Sequence, residues 1–331
     1  MAMTADHPSD GVGIDAQTRL FRVATIALIA HAALSAFSAF AFATFLIPPY
    51  PDWLMTPTNQ AVMKIGYTFG GQTTVVLGAI AGFAFLAACI GVSRTWKVFA
   101  VAFILSLGSE LLGTGTGLPF GVYKYTDQLG YKIAGLVPFN IPTSWFYMLV
   151  ASLAMCGRFL PAKDDNVSKW WWSLVAALVL TAWDVSMDPA MVKTTHWLWF
   201  VPDLSAQPAF IQFIGKPIFF GMPITNWLGW LLTGILVARA MLMLVPPTTW
   251  VAKTSRSQLP VYLYAVNGLL PLAICFAQDM VLAGVLGTVA MAIPLVVTLR
   301  GSAPNSDPGR RGSRQPHAAA PSMAQASVSS R

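Results

Sequence analysis

Long apolar runs follow one another from residue 21 to residue 299, each near the length of a bilayer crossing. In hydrocarbon a backbone must satisfy its own N–H and C=O groups, so runs of this kind read as helices in a bundle. They fall near 21–47, 64–91, 97–114, 143–160, 170–187, 224–245, 260–277 and 279–299. The last two meet around Gln278-Asp279, so seven crossings with one long kinked span stay open as an alternative. Composition agrees: 56% of residues are hydrophobic and 10% charged, against roughly 25% charged in soluble domains. The expected fold is all-α, a polytopic integral membrane bundle of about eight transmembrane helices.

Lysine and arginine set the expected orientation. With a cytoplasmic N-terminus, the inner segments carry Arg19, Arg22, Arg94, Lys97, Arg158, Lys163, Lys169, Arg239, Lys253, Arg256, Arg300, Arg310, Arg311 and Arg314. The outer segments then carry Lys64, Lys124, Lys132, Lys193 and Lys216. This bias puts both termini in the cytoplasm and an even number of crossings in the cell membrane. The net charge of +7 is scattered between apolar runs and forms no basic stripe for nucleic acid. Residues 1–18 and 301–331 read as disordered tails on a transmembrane domain, 19–300, that carries the chemistry. Cys89, Cys156 and Cys275 each lie within an apolar run, without metal spacing, and read as small hydrophobes.

Carboxylates gather at the expected outer face. Glu110 ends an apolar run and opens ELLGTGTGLPFGVYKY (110–125), whose glycines permit a tight turn or a close approach. Asp184 and Asp188 lie four apart in AWDVSMDP (182–189), one face of a continuing helix. Pro189 biases Asp188 away from helical geometry, which would end the helix there and loosen the pair. A charge within a membrane helix costs about 2.5–3.5 kcal/mol at its centre, so such residues are functional candidates. The plainer alternatives are a helix-end acid for Asp188, a structural hydrogen bond for Asp184, and a Lys124 or backbone partner for Glu110. Where carboxyls crowd together, one keeps a proton near neutral pH and can act as a general acid.

Tyr123, Tyr125, Trp145, Trp183, Trp197 and Trp199 flank these acids. They read either as an interfacial belt or as the ring faces of a pocket that tolerates a cation. Asn226, in FFGMPITNWLGW (219–230), either caps a helix or binds a water. His31 and His196 lack a second histidine at ligand spacing and read as structural. GTGTG has no preceding strand and no dinucleotide spacing, and HExxH, CxxC and iron-binding histidine clusters are missing. No metal or redox cofactor is therefore expected, which argues against an oxygen-using desaturase or hydroxylase.

Four blocks in order resemble one family: residues 110–148, AWDVSMDP (182–189), HWLW (196–199) and FFGMPITNWLGW (219–230). They look like the CruF-type carotenoid hydratases, which include γ-carotene 1′-hydratases and bisanhydrobacterioruberin hydratases. The resemblance spans about 90–240. It implies an integral membrane enzyme that adds water across the terminal 1,2 double bond of an acyclic ψ-end. Lycopene, γ-carotene or a similar carotenoid would be the substrate and a tertiary alcohol the product. Membrane lipid and other enzymes of the pathway are the implied surroundings. The family's acidic positions map onto Glu110, Asp184 and Asp188.

The chemistry suits these residues without a cofactor. A proton adds to the less substituted carbon and water captures the tertiary cation. Asp184 is the expected proton donor, with Asp188 or Glu110 as partner and base. One alternative is a membrane prenyltransferase, since Asp184 and Asp188 resemble half of a metal–diphosphate motif, although no second half is found. Another is a transporter or carotenoid-binding membrane protein, although no internal repeat supports it.

Overall fold

The fold is described from a computed structural model that covers residues 13–301. Helices α1 (Ile14–Thr44), α2 (Pro57–Ile90) and α3 (Val92–Thr116) open the chain. Three short strands follow: β1 (Tyr123–Tyr125), β2 (Lys132–Ile133) and β3 (Val137–Pro138). Then come α4 (Asn140–Cys156), α5 (Asn166–Lys193), β4 (Trp197–Trp199) and the short α6 (Ala209–Gly215). A hairpin of β5 (Pro217–Phe219) and β6 (Met222–Pro223) leads into α7 (Ile224–Leu244) and α8 (Pro247–Thr254). The chain closes with α9 (Leu259–Val266), α10 (Leu269–Ala277) and α11 (Val281–Arg300).

Among the described residues, seven segments are long and apolar enough to cross a membrane: α1, α2, α3, α5, α7, α9–α10 as one unit, and α11. The eighth apolar run is α4, only 17 residues long. Its place explains its length. It packs on α2, α3, α5 and α9, and of its residues only Ile141 and Ser144 escape full burial. A helix apolar on every side belongs inside a protein, and α4 is shielded by its neighbours rather than by lipid. The kinked single span does not occur. Between α10 and α11 the chain breaks at Gln278–Met280, with Asp279 at φ 57°. Helix α1 begins at Ile14, so residues 14–18, expected in a tail, form its first turn. The rest of both expected tails, 1–12 and 302–331, lies outside the described residues.

The outer surface is apolar where lipid would lie. Along α7, Leu228, Leu232 and Leu236 are exposed at four-residue spacing, while Trp230, Thr233 and Val237 on the other side are buried. Both described ends of the chain share one end of the bundle. Gln17 Nε2 donates to Ala88 O at 3.1 Å, and a side chain at Gly301 would meet Arg158 O. The connections 117–139 and 194–223 meet at the opposite end. There β1 and β4 pair antiparallel, Tyr123 with Trp199 and Tyr125 with Trp197. Alternation along each strand sends these four rings inward and Lys124 and Leu198 outward.

Candidate active site

The glycine-rich stretch after Glu110 gives it its surroundings. Helix α3 runs through Gly113 and Gly115 and stops at Gly117, which adopts the left-handed φ of 82° and caps it. Gly113 leaves room for the Tyr123 hydroxyl and the Phe120 ring, which a Cβ would meet at 2.9 and 2.7 Å; Gly115 faces open space. The returning chain thus lays β1 back against the last turns of α3. Glu110 Oε2 accepts from Tyr123 Oη at 2.5 Å and Tyr125 Oη at 2.8 Å. Its Oε1 accepts from Trp145 Nε1 at 3.1 Å. Burial first, then the neighbouring Glu110, raises both phenols well above the usual tyrosine range, so they stay protonated donors. Neither plain alternative for Glu110 holds, since Lys124 lies instead over the Phe200 ring, 5.6 Å from its centroid.

Helix α5 does not stop at Asp188. It continues through Pro189 to Lys193, which keeps Asp184 and Asp188 on one face. Proline within a membrane helix is tolerated where neighbouring helices support it, and α7, α10 and α11 all pack on α5. Asp188 Oδ1 accepts from Trp197 Nε1 at 2.9 Å and Trp199 Nε1 at 3.0 Å, both from β4. Its Oδ2 accepts from Asn226 Nδ2 at 2.8 Å, and the same amide donates to Asp184 Oδ2 at 3.2 Å. Asn226 is therefore neither the helix cap, a position Pro223 holds, nor free. Asp184 is fully buried, and its Oδ1 has no partner among the described residues.

These groups surround a cavity of about 250 Å³. Glu110, Asp188, Tyr123, Tyr125, Trp145, Trp183, Trp197, Trp199 and Asn226 all line it; Asp184 does not and lies behind Asp188. Trp145 stacks on Trp230 with centroids 4.5 Å apart, and Trp183 meets Trp230 edge-on at 6.1 Å. Trp183 also donates to Asn267 O at 2.9 Å. Sequence reasoning missed Trp230, Tyr147, Asn140 and Asn267, which line the same space. Asn267 carried a usable signal, a lone amide inside the apolar run YLYAVNGLLP. It accepts from Tyr147 Oη at 2.9 Å and meets His31 Nε2 at 3.2 Å.

The other titratable groups are accounted for more simply. His31 Nδ1 contacts Thr74 O at 2.8 Å, as a structural histidine would. Thr194 Oγ1 donates to Ala190 O at 2.9 Å, so at 2.7 Å it accepts from His196 Nδ1–H and leaves Nε2 as an acceptor. Burial pushes His196 down to about 4, so it is neutral at physiological pH. Asp127 pairs with Lys132 at 2.7 Å in the loop, which lowers it from the ordinary aspartate value. Asp203 accepts from Ser205 N at 2.9 Å. The three cysteines are buried free thiols.

Fold and site together define a multi-pass helical membrane protein with carboxylates and aromatic rings around an internal cavity. The chain belongs to the carotenoid biosynthesis protein family, which it matches over residues 70–294. It is also similar to a bisanhydrobacterioruberin hydratase from Haloarcula japonica, at 28% identity over 131 residues. That alignment takes in 40% of this chain and 39% of the relative's length. No solved structure matches it.

Proposed function

We propose that this protein is a carotenoid 1,2-hydratase that adds water to the terminal double bond of an acyclic ψ-end without a cofactor. The observation that carries this reading is the pair of buried carboxylates, Glu110 and Asp188, on the wall of one aromatic cavity. The hydratase name of the Haloarcula japonica relative supports it.

The roles follow from the donors and the neighbouring acid each carboxyl has: Asp184 and Asp188 share the Asn226 amide, and Glu110 shares no donor with either. Asp184 has a single donor and an unpartnered oxygen, and an uncompensated buried charge is costly. Asp184 and Asp188 share one proton under the bridging Asn226 amide, and Asp188, which reaches the cavity, delivers it to the alkene. Asp184 is the donor expected from the sequence and the family resemblance; here the pair takes that role. Protonation of the less substituted carbon leaves a tertiary cation, which the faces of Trp183, Trp197 and Trp230 stabilise. Glu110, which accepts three hydrogen bonds and shares no donor with a second carboxyl, takes a proton from the water that captures the cation. Water adds in total, and the proton left on Glu110 returns to the aspartate pair through the cavity.

Expression in a lycopene-accumulating host tests this. Pigments should gain one water per hydrated end, with the hydroxyl oxygen drawn from labelled water. In heavy water one deuterium should appear on the carbon beside the new alcohol carbon. A hydroxyl oxygen drawn from molecular oxygen would overturn the mechanism.

A further inference from the structure

The cavity does not enclose the whole of the substrate it is proposed to serve. Pockets that enclose whole drug-sized ligands measure about 300–1,000 Å³, and a carotenoid is longer than such ligands. At about 250 Å³, its open end included, the cavity takes an end group and the first part of a polyene. The polyene must therefore leave it somewhere.

One end of the cavity is closed. Glu110, Asp188 and Asn140 there are each at most 3% exposed, and Asn140 Oδ1 is buried without a partner among the described residues. An unpartnered amide oxygen on a cavity wall suits a hydrogen-bond donor such as the reacting water or the new hydroxyl. The other end runs between the C-terminal half of α1 and the N-terminal half of α2. Its lining there includes Phe37 and Ser38 of α1 and Gly66, Gly70 and Gly71 of α2. A Cβ on any of these three glycines would meet nothing within 4 Å. Phe37 is 62% exposed, and Phe40, Ile65 and Phe69 on the same two helices are exposed apolar residues as well. Exposed apolar helix faces of this kind look onto lipid, so the opening faces the bilayer rather than water.

We infer that the α1/α2 groove past Gly66, Gly70 and Gly71 holds the polyene of the substrate, which enters sideways from the membrane with its end group leading. The inference rests on the carotenoid reading of the cavity. It assigns the three glycines a role in admitting a long linear chain, separate from the chemistry at Glu110 and Asp188.

The test measures lycopene retained by purified protein, from its visible absorbance per protein, and hydrated product in parallel. Gly70→Leu and Gly71→Leu add bulk to the groove at positions where a Cβ meets nothing within 4 Å, and favour the helix. Ser38→Leu fills it from the opposite wall. Gly108→Leu, an exposed position on α3 outside the cavity, is the control for added bulk. The groove variants should retain at least tenfold less lycopene than wild type, while Gly108→Leu retains the wild-type amount and all elute alike on gel filtration. Wild-type retention in the groove variants, or none in the wild type, would overturn the groove. Lycopene retained but never hydrated by the wild type would overturn the hydratase reading and leave the groove standing.

Discussion

Asp184 and Asp188 differ by one turn of helix, yet only Asp188 reaches the cavity. Asp188→Asn should lower turnover by about 10²–10⁴, the usual worth of a positioned acid or base, with carotenoid retention unchanged. Asp184→Asn and Glu110→Gln should also be severely impaired. Near-wild-type turnover in Asp184→Asn would leave the reaction standing and remove the shared proton. Trp197→Phe keeps a ring face but loses one donor to Asp188, which should cost about 1–3 kcal/mol in kcat/KM. His196 titrates at about 4 in the fold, below its usual value of about 6.5. The unfolded chain therefore binds its proton first as pH falls. Stability should be full above about pH 6.5 and decline toward pH 4, and His196→Gln, which cannot take the proton, should flatten part of that decline in thermal unfolding.

At the scale of elements, the β1·β4 ribbon ties the two site-bearing connections together. Tyr123 and Tyr125 serve Glu110 while Trp197 and Trp199 serve Asp188, so one short ribbon sets the geometry of both carboxylates. Gly121 sits just before it at φ 115°, where a Cβ would lie 2.8 Å from Pro223 Cγ and 3.1 Å from Trp199. Gly121→Ala should destabilise the protein by about 1–3 kcal/mol through backbone strain and cut activity by displacing Trp199. A wild-type melting temperature and wild-type turnover together would show that the ribbon tolerates the shift. Part of this element was legible in the sequence. YKY and WLW alternate as strands do, but only folding pairs segments some seventy residues apart. Pro189 misleads in the opposite direction. Its local preference ends a helix, whereas packing against three other helices carries α5 past it.

For the whole molecule, the expected sidedness puts the connections 117–139 and 194–223 outside the cell. Engineered cysteines at exposed Tyr131 and Val201 should then both react with an impermeant thiol reagent in intact cells. Labelling at one alone would contradict the ribbon that joins them. Hydration should survive excess chelator, and a loss restored by Mg²⁺ would favour the prenyltransferase alternative instead. The sequence by itself determined the helical bundle, because apolar runs of that length leave a backbone in lipid no other way to bond. It also singled out Glu110, Asp184 and Asp188 as candidates, because charge in such runs is costly. The tertiary structure decided which acids meet and which one touches the cavity. The donors to Glu110 and Asp188 come from α4, β1, β4 and α7, as far as 38 residues along the chain, and no local pattern encodes contacts at that separation. It also decided that α4, as apolar as its neighbours, lies at the centre, since composition records burial from water and cannot tell lipid from protein.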